Sequence, residues 1–256
     1  METESIILRI NDYAESDKIV TFFSPHIGRA TAIAKGAKRS KKRFVNKLEP
    51  FTHLRINCRP PKKGSLFFLS NADLENAFLT LRHHYQRYTT AAFISELVLL
   101  FTRDHDCEPR LFELLRWAYY SLDRGRSSST TLAIFMIKLL QYTGYQPELS
   151  RCAKCKTIVY PKQRYYFLPE SGLTCNSCRS GEDTTGYHFT IAIRTIRLLH
   201  TTQRMSISHL NRLHLPKSSS MEAVFALSRF CRNILQQDLH ALEQVRTASN
   251  PFPMTA

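Results

Sequence analysis

Five short runs rich in β-branched and aromatic residues fill the first 76 positions, helical periodicity replaces them after Asn76, and two C-x2-C pairs interrupt the helical part. Together these features predict a multidomain α+β chain. Its N-terminal part, residues 1–78, reads as a five-stranded OB-fold β-barrel, followed over 79–256 by an all-α helical domain with an inserted four-cysteine zinc-binding module at 151–181.

The candidate strands are 5–10, 18–23, 29–35, 51–58 and 66–74. Turn chemistry separates them: Asn11-Asp12 and 15–17 after the first, Ser24-Pro25-His26 with Gly28 after the second, and Pro60-Pro61 with Gly64 before the fifth. The longest gap, 36–50, lies between the third and fourth strands, where a five-stranded OB barrel carries its extra connection. Ile6, Ile7 or Leu8, Val20, Phe22 or Phe23, and Ile33 are the expected barrel core. Beyond Asn76, residues 82–102 read as a helix packing through Tyr85, Tyr88, Ala92 and 94–101. Glu108-Pro109 opens a second, whose Leu111, Leu115, Ala118 and Leu122 share one face, and the polar segment 124–130 ends it. A third, 132–143, closes at Gly144 with Pro147 beyond. Helices at 188–202 and 219–245 follow the cysteine module. The last has a Ser219/Glu222 capping box and an apolar stripe through Val224, Leu227, Cys231, Ile234, Leu235 and Leu242. Cys231 on that stripe reads as a packed core thiol, and the tail from Asn250 reads as disordered.

Cys152 and Cys155 are separated from Cys175 and Cys178 by 19 residues. Each C-x-x-C turn aims two thiolates at a common centre, and the aromatic stretch 160–168 can fold back as a hairpin. The spacing therefore predicts one tetrahedral zinc ion. A redox C-x-x-C does not explain a second pair. A disulfide framework fits poorly with an odd total of 7 cysteines and with an N-terminus, METESIILRINDY, that lacks a secretory pattern. Four thiolates leave no open position for water, so the ion is expected to be structural. Thiols without a secretory address predict the reducing cytoplasm.

Lys and Arg number 36 against 21 Asp and Glu, a formal net charge of +15. Such an excess favours a polyanion: nucleic acid ahead of an anionic membrane or a merely solvated basic surface. The most apolar stretch, 91–101, is too short to cross a membrane and contains Glu96. Between Arg29 and Lys63 stand twelve cations and one acid, Glu49. Lys35, Lys38, Arg39, Lys41, Lys42 and Arg43 lie in the long loop, where they would track phosphates with a steep salt dependence. Phe44 is embedded in that run, and Phe22/Phe23 and Phe67/Phe68 sit on neighbouring strands. By alternation one of each pair should face out, where a base could stack; the other reading makes each phenylalanine barrel core. Nucleotide-loop, dinucleotide and metalloprotease signatures are missing, and the ten histidines do not cluster. Asp104, Asp106 and Glu108, the one compact acidic group, read as a solvated loop rather than a nuclease or transferase site. The chain is therefore expected not to be an enzyme. An RNA-binding or ribosome-associated protein would use the same basic loop and is the alternative to DNA binding.

The segment 28–54, GRATAIAKGAKRSKKRFVNKLEPFTHL, resembles the RecO family of bacterial recombination mediators. In that family a glycine after strand two precedes a Lys-Gly-Ala-basic run and a Pro-Phe that begins the next strand. Lys35, Gly36, Ala37, Lys38, Arg39, Pro50 and Phe51 match this pattern. Leu139-Leu140, Gly144, Pro147 and the cysteines of CAKC and CNSC stand where many members place a helix end and a zinc knot. The likeness extends to about residue 180, beyond which only helical character matches. It implies a non-enzymatic DNA repair and homologous recombination mediator. Such a protein would bind single- and double-stranded DNA, anneal complementary strands without ATP, and help load the RecA recombinase. Its implied partners are RecR, RecF and the acidic tail of single-strand DNA-binding protein, and its implied location is the cytoplasm at the nucleoid. By position Lys35, Lys38 and Arg39 are the foremost DNA contacts, with Arg29, Lys41, Lys42 and Arg43 next.

Overall fold

Each of the five N-terminal runs becomes a strand: β1 (Glu2–Tyr13), β2 (Asp17–Ser24), β3 (Gly28–Ala34), β4 (His53–Arg59) and β5 (Leu66–Asn76). The computed structural model describes residues 1–61, 64–161, 163–179 and 189–249. The strands form a closed barrel in the order β1-β2-β3-β5-β4. β1 serves two neighbours, pairing with β4 from Glu2 to Ile6 and with β2 from Ile6 to Tyr13, and a register shift at Leu8 bends it between them. Thr31–Ile33 of β3 lie parallel to Leu66–Phe68 of β5, which closes the barrel.

Burial along β3 alternates strictly, with Ala30, Ala32 and Ala34 inside. These small side chains stand opposite Phe22, Val20 and Lys18 of β2, so the large residues of one strand fill the space left by the other. Ile7, Leu54, Ile56, Phe67 and Leu69 complete the interior. Ile33, expected in the core, lies on the opposite face and is only half-buried, because the register gives the interior to the alanines. Phe22 and Phe23 are both fully buried, so neither faces solvent as alternation alone suggested. Phe23 lies opposite Ile6 on the outer wall, the side on which helices pack against β1 and β2.

The remaining elements are α1 (Leu79–His83), α2 (Tyr85–Phe101), α3 (Pro109–Asp123), α4 (Ser128–Tyr142), β6 (Tyr165–Leu168), β7 (Gly172–Cys175), α5 (Asn176–Arg179), β8 (Thr190–Ile191), α6 (Ile193–Arg204), α7 (Lys217–Leu235) and α8 (His240–Ser249). They group into two compact units. One joins Met1–Gly125 to the C-terminal segment beginning at His240, and the other is Arg126–Leu239. In the first unit Phe51 joins barrel to helices: its ring lies 5.2 Å from Tyr88 and 5.5 Å from Tyr119. Tyr119 is fully buried, with its hydroxyl 2.6 Å from Ser95 Oγ. Glu96 of α2 accepts the His240 and Ala241 N–H groups at 2.8 and 2.9 Å, placing a carboxylate on the N-terminus of α8. α3 begins as expected, with Glu108 accepting the Arg110 N–H before Pro109 enters the first turn. The expected helix at 82–102 is broken at His84 into α1 and α2, and Tyr85 is exposed rather than packed.

In the second unit α4 is buried on almost every side, with α6 and α7 packed against it. Lys138 is carried into this core, where its ammonium donates to Gln203 O at 2.7 Å and Gln141 Oε1 at 2.9 Å. Burial pulls its pKa down to about 8. The single helix expected at 219–245 divides. Gln236 takes a left-handed conformation, φ 52°, and its N–H caps α7 by donating to Arg232 O; α8 then starts at His240 in the other unit. Ser219 lies inside α7 instead of capping it, and Glu222 accepts from Ala192 N and the Thr195 hydroxyl. Cys231 is a buried core thiol whose pKa burial pushes up. Lys62 and Lys63 of the basic run, the module end at 181, the helix start at His188 and the tail from Asn250 lie outside the described residues. Among the described residues no helix is long and apolar enough to cross a membrane.

Two outcomes follow from this packing. Gly28 has φ +72°, and a Cβ there would lie 2.4 Å from Asp106 O, so Gly28→Ala should cost about 2–4 kcal/mol in denaturant unfolding. Lys138 binds its proton less tightly when folded than when unfolded, at about 8 against 10.5. The unfolded chain therefore holds more protons in that window, and stability rises with pH across it. Relative to Lys138→Met, the wild-type melting midpoint should climb between pH 8 and 10.5; parallel curves would remove Lys138 as the cause.

Candidate nucleic-acid interface and metal centre

The connection from β3 to β4 is pinned at both ends. Gly36, at φ +66°, donates its N–H to Asp17 Oδ1 at 2.8 Å, and Lys38 N–H donates to Ser16 O at 2.9 Å. The Gly36 hydrogen bond is the main reason the Asp17 carboxyl sits below its ordinary range; Ser16 and the charges of Lys35 and Lys38 add to it, and partial desolvation opposes them. A 3₁₀ turn at Ala37–Arg39 follows, and Phe44 and Leu48 then drop into the barrel core at 3% exposure each. Phe44 is therefore an anchor rather than a stacking platform.

Between these anchors the polar side chains point outward. Lys35, Lys41 and Lys42 are exposed, and among the described residues no carboxylate pairs with them. Arg43 is exposed and donates to Lys35 O at 3.1 Å and Ser70 O at 3.3 Å, its guanidinium 4.9 Å from the Phe44 ring. That arrangement holds the loop's shape while leaving charge at the surface. Lys38 pairs with Asp12 at 3.2 Å, and Arg39 with Glu15 at 3.5 Å. The Arg39 pair is almost wholly solvated, so its hold is weak and a phosphate can replace the carboxylate. Arg29, expected among the DNA contacts, bonds Asp104 at 2.7 Å and the Leu99 carbonyl, which ties β3 to the chain after α2. Asp104 is thereby an ion-pair partner and Glu108 an N-cap, so the acidic group 104–108 has structural work. Phe67 is core, whereas Phe68 is half-exposed with the Arg59 guanidinium 4.8 Å from its ring. The Phe68–Arg59 pair was not singled out from sequence; the β5 alternation carried the signal for its outward face.

Cys152, Cys155, Cys175 and Cys178 converge, with their sulfurs all within 4.8 Å of one another. A tetrahedral ion at metal–thiolate distances of about 2.3 Å sets sulfurs about 3.8 Å apart, and Cys155 and Cys175 lie at 3.7 Å. All four cysteines are free, so no disulfide competes with a metal here. Supporting bonds are in place: the Cys175 N–H donates to Cys152 Sγ at 3.3 Å, and Cys155 Sγ lies 3.2 Å from the Thr157 hydroxyl. Thr157 is the leading cause that pulls Cys155 down to about 6, while hydrogen bonding to Cys155 and Cys175 pushes Cys178 up to about 12. Thiolates this close together repel, and a shared cation relieves that repulsion. β6 and β7 form the hairpin that delivers the second pair, with Tyr165 opposite Cys175. Among the described residues this is the one His/Cys/Asp/Glu group arranged to hold a metal.

Purified protein should carry about one metal ion per chain by elemental analysis. Cys175→Ser should lose it and expose 151–179 to proteolysis while the barrel's melting transition stays in place. Metal-free wild-type protein would contradict the fit.

Comparison with known proteins bears on both sites. The family model described as "Recombination protein O N terminal" matches residues 1–78, and "Recombination protein O C terminal" matches 82–243. A "DNA repair protein RecO" from Syntrophus aciditrophicus is 33% identical over 243 residues, covering 94% of this chain and 93% of the relative. Its counterpart from Syntrophobacter fumaroxidans is 29% identical over 246 residues, covering 96% and 97%. One from an Anaeromyxobacter species is 31% identical over 236 residues, covering 92% of each chain. With both family models matched in order along a five-stranded barrel and a four-cysteine knot, the chain belongs to the RecO family of DNA repair proteins.

Proposed function

We propose that this chain is a non-enzymatic recombination mediator that binds single- and double-stranded DNA across the 35–43 loop and anneals complementary strands without ATP. The observation that carries the reading is the display of Lys35, Lys41 and Lys42, with Arg43 beside them, on a loop anchored in the barrel core by Ala37, Phe44 and Leu48. Two DNA strands repel through their phosphates. A rigid cationic loop releases counterions from one strand and lowers the repulsion felt by the second, so pairing needs no nucleotide hydrolysis. Within this role the chain acts with RecR and RecF, engages the acidic tail of single-strand DNA-binding protein, and helps load RecA, in the cytoplasm at the nucleoid. Membership of a DNA repair family supports the role. Zinc is the metal we assign to the four thiolates, because a closed tetrahedral sulfur shell suits a soft-tolerant ion without redox chemistry. Its part is to hold the module folded.

The test is duplex formation from complementary strands coated with single-strand DNA-binding protein, without ATP; no acceleration by this chain would sink the annealing role. Lys41→Glu/Lys42→Glu should weaken single-strand binding at least tenfold at 0.1 M salt and lower the salt slope by about 1.4, two phosphate contacts' worth. Arg29→Gln should instead lower thermal stability and leave the slope unchanged.

A further inference from the structure

Along α6, Arg194, Arg197, His200 and Arg204 recur at intervals of three and four, which sets them on one helical face. Thr195, Ile196, Leu199, Thr202 and Gln203 are buried on the other face. The three arginines are exposed, and among the described residues no carboxylate pairs with them. They extend over about 15 Å of helix axis at 1.5 Å per residue. Where this face ends, a cavity of about 640 Å³ opens in the same unit, with His200, Arg204, Glu148, Gln141, Gln146 and Gln203 in its lining. That volume is in the range of small-molecule sites.

The polarity of two of these amides is fixed by their partners. Gln203 Nε2 donates to Pro147 O at 2.9 Å, which leaves its Oε1 as an acceptor. Gln141 Oε1 accepts from the Lys138 ammonium, which leaves its Nε2 as a donor. Beyond the cavity, Ser150 leads into Arg151, exposed on the cysteine knuckle where it bridges to exposed Ile158. This unit thus presents a row of cations that runs into a cavity whose lining joins Arg204 and His200 to uncharged hydrogen-bonding residues and one carboxylate.

We infer that this face is a second single-stranded nucleic-acid site, with phosphates along α6 and one base received by the cavity. A nucleotide joins the two chemistries the site offers: a phosphate for the arginines, and a neutral ring with N–H donors for Glu148 and Gln203 and an acceptor for Gln141. An acidic peptide would satisfy the arginines but would set its carboxylates against Glu148. The inference rests on the reading that the chain binds DNA, and it gives one chain a place for each of the two strands to be annealed.

The test uses the full chain and a short single-stranded oligonucleotide carrying 4-thiothymidine, photo-crosslinked and mapped by mass spectrometry. Adducts in 194–204 or 141–150 as well as in 35–43 are expected. Adducts confined to the barrel overturn this site, and adducts confined to 126–239 uphold it while overturning the barrel reading. The triple variant Arg194→Gln/Arg197→Gln/Arg204→Gln, with its melting midpoint checked against wild type, should bind about tenfold more weakly with a salt slope lower by about 2. Unchanged affinity and slope would overturn the phosphate track. Gln146→Leu should weaken an ordinary oligonucleotide about threefold and leave an abasic one unaffected; equal loss on both overturns the base cavity. An Asp/Glu-rich peptide that binds through the same arginines more tightly than the oligonucleotide would assign the face to a protein partner and overturn the inference.

Discussion

The parallel pairing of β3 with β5 is the constraint on which the placement of the basic 35–43 loop depends. Two parallel neighbours cannot be joined by a tight turn, so the chain between them must leave the barrel, form β4 on the far side and return. The segment 35–52 is the first leg of that detour. Crossing the barrel end gives it one apolar side and one solvated side, and its residues sort accordingly: Phe44, Leu48 and Phe51 turn in, while Lys35, Lys41, Lys42 and Arg43 remain out. A loop with the same charges but no apolar anchors would spread its cations over many conformations and lose binding energy to ordering.

Charge alone does not say which cations are available. Asp12 and Glu15, on and just after β1, draw Lys38 and Arg39 toward them, and Arg29 is shared between Asp104 and the Leu99 carbonyl. The result is graded. Lys35, Lys41 and Lys42 are exposed without a carboxylate partner, Lys38 and Arg39 are paired with carboxylates near the surface, and Arg29 ties β3 to the chain after α2. In the other unit the four cysteines bring two turns of 151–179, a segment with two short strands and a one-turn helix, to one point where a metal could hold them.

The strands and the metal ligands were legible in the sequence because both depend on local spacing: β-branched alternation for one, C-x-x-C turns for the other. Which face of a strand is buried was less legible. Phe23 and Ile33 were misassigned because the outcome depends on the register with alanine-rich β3 and on helices packing outside β1 and β2. The split between α7 and α8 was invisible for a different reason. Residues 236–239 contain neither Gly nor Pro, and the break is made by the left-handed turn at Gln236 and by Glu96, far away in sequence, capping the new helix. The ion-pair partner of Arg29 was invisible for the same reason, since it lies 75 residues on.

Hydrogen exchange on the full chain, with and without a single-stranded oligonucleotide, tests the central claim most directly. The account predicts that 44–52 exchanges slowly even in the free protein, and that 35–43 gains protection when DNA binds. Free-chain exchange of 35–52 at the rate of an unstructured peptide, or no change at 35–43 on binding, would contradict it.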